Sequence, residues 1–114
     1  MSKIYKILPK AEWDAARAVG TFAGSAVDLA DGFIHFSGHD TAQRTAELYF
    51  KGQAGLMLLT VEADDLGEAL KWEASRDGAL FPHLFRDLKV DEVIAERALE
   101  LDAGGVPVLG ELPA

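Results

Sequence analysis

Apolar residues come in short runs separated by turn residues, and the period of each run predicts its element. Ile4-Tyr5-Lys6-Ile7-Leu8 is rich in strand formers and stops at Pro9. From Lys10 to Val19, Trp13, Ala16 and Arg17 fall at helical spacing, with Gly20 as terminator. Thr21 to Ala30 is small and mixed, and reads as a loop or short turn. Asp31-Gly32 marks a turn before a strand, Phe33-Ile34-His35-Phe36-Ser37. Asp40 then takes the place of an N-cap, with Gln43 completing a variant capping box for a helix over Thr41–Phe50, and Gly52 lies just past its end. Leu56 to Val61 is almost continuously apolar, the pattern of a strand buried on both faces. Glu62, Asp64, Asp65 and Glu68 form an acidic connector. Leu70–Glu73 and Phe81–Phe85 read as short extended pieces, and the β-branched start of Val93–Leu101 favours strand over helix. Gly104, Gly105, Pro107 and Pro113 make an irregular tail of residues 102–114. The sum is a small α+β domain over residues 1–114, with a mainly antiparallel sheet and two helices in its N-terminal half.

Composition narrows what such a domain can do. In 114 residues there is no cysteine, which excludes a disulfide, a thiolate nucleophile and a Cys-ligated metal site. The net charge of −8 argues against general nucleic-acid binding, whose affinity comes from cations that neutralise phosphates. Charge is uneven: residues 1–20 carry four cations against two carboxylates, and residues 91–114 carry one against six. An anionic ligand is therefore drawn towards the N-terminal portion, and the competing reading of the imbalance is a solvated acidic surface. No apolar stretch suffices for a membrane span and the N-terminus has no secretory pattern, so a cytoplasmic protein is expected.

Two histidine-bearing strings are the candidates for chemistry. With a period of two, Phe33, His35 and Ser37 share one face of their strand. That row of ring, imidazole and hydroxyl suits a flat polar ligand, and equally suits a core histidine bonded to a carbonyl. In Phe81-Pro82-His83-Leu84-Phe85, Pro82 stiffens the backbone around a histidine flanked by rings, either in a pocket or as a core plug. Glu73, beside Trp72, is a candidate for holding a sugar hydroxyl or a developing positive charge. His35 and His39 lie four apart, yet Gly38 and the strand pattern prevent a helical metal pair, so no metal is expected. No phosphate loop and no G-x-S-x-G elbow occurs.

The strings Asp31-Gly32-Phe33-Ile34-His35-Phe36-Ser37 and Phe81-Pro82-His83-Leu84, together with Glu12-Trp13 and Trp72-Glu73, resemble the bacterial family called domain of unknown function 952. The resemblance covers residues 4–101 and departs at Phe85-Arg86, where the family usually has Tyr-Gly. It implies a fold like that of ADP-ribosyltransferases, with a bent or split sheet and NAD in its cleft. By the same resemblance, Lys6 or His35 would hold a ribose hydroxyl, His83 and Glu73 would act later in the site, and Tyr5, Phe33 or Phe85 would stack the nicotinamide. Ser37 would add a hydrogen bond. The competing expectations are a non-catalytic metabolite-binding module and a structural domain in which both histidines are core. The sequence leaves the oligomeric state open.

Overall fold

A computed structural model describes residues 2–75 and 78–114. In chain order the elements are β1 (Lys3–Pro9), α1 (Lys10–Val19), β2 (Thr21–Phe22), α2 (Ala26–Asp31), β3 (Ile34–His35), β4 (Ser37–Gly38) and α3 (Ala42–Tyr49). There follow β5 (Leu56–Glu62), β6 (Leu70–Ala74), β7 (Leu80–Leu84), β8 (Leu88–Lys89), β9 (Val93–Ala98), β10 (Glu100–Leu101) and β11 (Pro107–Val108). Short 3-10 segments occupy Ala63–Ala69 and Val90–Glu92. The domain is α+β, and its strand pairings are antiparallel.

Two sheets organise the molecule. One has the order β4-β1-β5-β9 and the other β3-β7-β6, with β2-β8 and β10-β11 as small ribbons. β5 is central and its apolar run is buried on both faces, as its sequence predicts. Ile4 and Leu8 of β1 enter one core cluster with Trp13, Phe22 and Leu84, while Tyr5 and Ile7 enter a second with Ala42, Ala46 and Leu109. This alternation is the period-two geometry of a strand covered on both sides. Each fully buried large side chain contributes about 1.5–3 kcal/mol. Helix α1 turns Trp13 and Ala16 inward and ends at Gly20, whose φ of 96° suits glycine.

The stretch Thr21–Ala30, expected as loop, instead forms β2 and a third helix, α2. Helix α2 has only one buried residue, Asp28, so it carries no apolar stripe that a pattern search would detect. Its end chemistry makes it: the Ser25 N–H donates to Asp28 Oδ2 at 2.8 Å, and Gly32 closes it at φ 87°. Gly24 is required here, because a Cβ would lie 2.7 Å from the Asp28 Cβ.

The N-cap expected at Asp40 is displaced. Thr41 precedes α3 without a side-chain cap bond, and the helix closes at Phe50, as its sequence predicts. Gln43 is drawn away by the tail, donating to Pro107 O at 3.0 Å and accepting from Leu109 N at 3.2 Å. The tail is accordingly less irregular than its glycines and prolines suggest. β11 pairs with β10, and Leu109 is fully buried.

Candidate functional site

The cavity arises where one extended segment changes partners. Ile34 and His35 pair with Leu84 and His83 of β7, whereas Ser37 and Gly38 pair with Tyr5 and Ile4 of β1. Phe36, between them, donates its N–H to Pro82 O at 3.0 Å. The two sheets therefore diverge at Phe36. Lys10 N–H donates to Gly55 O, in step with a β1–β5 ladder whose bonds run through the even-numbered residues of β1. Tyr5 and Ile7 thus turn their backbone groups the other way. Tyr5 meets Ser37, but β4 has left before Ile7, whose N–H and C=O face the gap.

That gap is a cavity of about 500 Å³, within the range usual for small-molecule sites. Tyr5, Lys6 and Ile7 form its β1 side, and Ala42, Thr45, Tyr49 and Phe50 its α3 side. Val27 and Asp31 come from α2, His35, Phe36 and Ser37 from the crossing segment, and Ser75, Phe81 and His83 from the second sheet. His35 and His83 therefore open onto the same space. They are direct cross-strand partners, with ring centroids 5.4 Å apart at an angle of 69°.

Their surroundings differ. His35 is one-third exposed, and both ring nitrogens meet carboxylates: Nδ1 lies 2.7 Å from Asp28 Oδ1 and Nε2 2.9 Å from Asp31 Oδ2. A neutral ring donates from one nitrogen only, so only the imidazolium donates to both at once. His83 is buried and places Nδ1 2.8 Å from Glu73 Oε1. In the neutral ring Nδ1 donates to that carboxylate and Nε2 is an acceptor. Nε2 has no partner among the described residues, and no buried side-chain nitrogen or oxygen there is unpaired, so Nε2 meets the open space of the cavity.

Asp28 anchors the other side. Its carboxylate, 1% exposed, accepts from Lys6 Nζ at 2.9 and 3.1 Å, from Ser25 N–H, and from His35 N–H at 3.1 Å, in addition to the imidazole. Burial pushes the Asp28 carboxyl up, but the Lys6 ammonium and the His35 and Ser25 bonds outweigh it and hold the group below the usual range. Burial also raises the Tyr5 phenol, whose hydroxyl donates to Pro113 O.

Most of the residues singled out in the sequence meet here. Tyr5, Lys6, His35, Ser37 and His83 line the cavity. Glu73 does not line it and acts from behind His83. Phe33 and Phe85 also lie outside the wall. Phe33 stacks on His83 at 4.2 Å and 30° and touches Phe85 at 5.1 Å, so the rings orient the imidazole. Lys6 lines the space, yet its charge is held by Asp28. His39 sits exposed in the turn after β4, apart from this group. Among the described residues no cluster of three His, Asp or Glu is set to hold a metal. Sequence reasoning missed Asp28, although Ser25-x-x-Asp28 carried the signature of a helix start.

The family described as "Protein of unknown function (DUF952)" matches residues 7–96. The chain belongs to this family. The match spans Asp28, His35, Glu73 and His83, and leaves the whole tail outside. The crystal structure of protein CC0527 from Caulobacter crescentus is 66% identical over 95% of each chain, with a TM-score of 0.94. The solution NMR structure of CC0527 is 66% identical over 96% of this chain and 95% of that one, with a TM-score of 0.88. No curated protein matches the chain. Among the described residues no helix is long and apolar enough to cross a membrane.

Proposed function

We propose that this DUF952 protein binds NAD by its nicotinamide–ribose end in the cavity between His35 and His83, and acts on it as an ADP-ribosyltransferase-like enzyme. The observation that carries this reading is the convergence of the two histidines on one cavity of about 500 Å³. The choice of NAD rests on the likeness of fold to ADP-ribosyltransferases that the family resemblance implies, and the site itself is where it is tested.

The chemistry suits the residues. As the nicotinamide–ribose bond breaks, nicotinamide leaves with the electron pair and positive charge builds on the sugar. An oxygen or nitrogen of the acceptor then bonds the ribose carbon, so the chain supplies positioning and a nearby negative group and no nucleophile of its own. Asp31 supplies a carboxylate at the wall, fixed by His35 Nε2. His83 Nε2, held as an acceptor by Glu73, suits a ribose hydroxyl. Lys6, engaged with Asp28, supports His35 through that carboxylate and does not reach for the ligand with a free charge.

Calorimetric titration of NAD into the protein and into a His83→Ala variant tests the reading. The expected result is saturable binding that weakens by about tenfold or more in the variant, equivalent to about 1.4 kcal/mol. Absence of heat at millimolar NAD, or equal affinity for both proteins, contradicts it.

A further inference from the structure

The side-chain hydrogen bonds around the cavity are one-sided. Thr45 donates its hydroxyl proton to Thr41 O at 3.1 Å, so in the 3.1 Å contact between Ser37 and Thr45 the Ser37 hydroxyl is the donor. Tyr5 donates to Pro113 O. Lys6 gives two contacts to one buried carboxylate, and His35 faces carboxylates from both nitrogens. What remains towards the cavity is the opposite kind of group: the Asp31 carboxylate, His83 Nε2 and the lone pairs of Ser37 and Tyr5. Among the described residues the Tyr49 hydroxyl, the Ile7 amide and the Ser75 hydroxyl each bring a donor, and each brings an acceptor with it.

We infer that the cavity selects an organic cation, a protonated amine, amidine or cationic heteroaromatic ring, over an anion of the same size. Three observations converge on this. The side-chain donors of Lys6, His35, Ser37 and Tyr5 are already engaged. Among the described residues the positive groups at the site, Lys6 and the His35 imidazolium, are matched by Asp28 and Asp31, so no free cation awaits an anion, while the half-exposed Asp31 carboxylate keeps lone pairs at the wall. The rings of Tyr5, Phe36 and Phe50 also belong to the wall, and aromatic faces attract cations. His83, 6% exposed and with Nε2 unpartnered among the described residues, gives the cation's N–H groups an acceptor when its ring is neutral. This reverses the expectation drawn from the basic N-terminal segment, because its one cation at the site is neutralised. The inference rests on the cavity receiving a small ligand, and holds whether or not that ligand is NAD.

Benzamidine and benzoate make a matched pair of probes, planar and similar in size but opposite in charge. Each is titrated while the imidazole signals of His35 and His83 and the amide signal of Ile7 are followed by NMR. Benzamidine is expected to shift all three and to bind at least about tenfold more tightly than benzoate. In Asp31→Asn the preference is expected to narrow several-fold, with the β5 amide signals unchanged as the check on folding. Equal or tighter benzoate binding overturns the inference, as does a preference that Asp31→Asn leaves intact. Failure of both probes overturns it too. A benzamidine response without any response to NAD keeps the cation site and removes the NAD reading.

Discussion

The α2 side of the cavity and the β7 side are held by different forces. Helix α2 turns only Asp28 inward and leaves Val27 and Leu29 more than half exposed. Its attachment is ionic, through Lys6 and His35 to one carboxylate. On the other side, Phe81, Leu84 and Pro82 of β7 are buried, Phe33 stacks on His83, and only Glu73 adds charge. Packing there fixes the imidazole before any hydrogen bond is counted. The comparison teaches that two adjacent histidines can be positioned by unlike means, and that each half of the site should fail under different conditions.

The largest expected effect follows from removing the ionic anchor. Asp28→Ala leaves the Lys6 ammonium buried without its carboxylate, and should lower stability by about 3–5 kcal/mol in denaturant unfolding. Replacing Lys6 by Met in the same chain should recover much of that loss, since the uncompensated charge is then gone. A loss below about 1 kcal/mol for Asp28→Ala, the level of an exposed pair, would break the distinction between the two sides.

Acid should separate them next. The folded carboxyl of Asp28 titrates below its unfolded value of about 3.9. Its stabilisation is therefore complete above that value and is lost as pH falls through the lower, folded one. Hydrogen exchange below about pH 4 should show α2 losing protection before β7. Protection lost from β7 first would reverse the assignment.

Glu73→Gln should produce the smallest change in stability. Glu73 is nearly half exposed, and exposed pairs contribute about 0–1 kcal/mol. Its effect should appear instead in the tautomer, with the 15N signals of His83 moving as the charged partner of Nδ1 is lost. Unchanged signals would mean that stacking on Phe33 alone sets the ring.

The sequence made one side of this site far more legible than the other. Phe33, His35 and the Phe81–Phe85 string advertised themselves by strand periodicity and by Pro82, and β3 and β7 followed. Asp28 did not, because α2 has no apolar stripe and its polar anchor acts through Lys6, a partner 22 residues away. The same four-residue grammar was misleading at Asp40 and Gln43, where the distant tail captured the Gln43 amide. Local pattern reports local bonds, and both failures were long-range. The shared cavity likewise depends on where the crossing segment leaves β1, a feature of pairing that no single strand records.

The central claim, that two histidines face one ligand-binding space, is tested most directly by following both imidazoles during one NAD titration. The account predicts that the His35 and His83 signals move together and saturate at a common ligand concentration. Movement of one ring alone, or stillness of both while NAD shifts signals elsewhere in the chain, would contradict it.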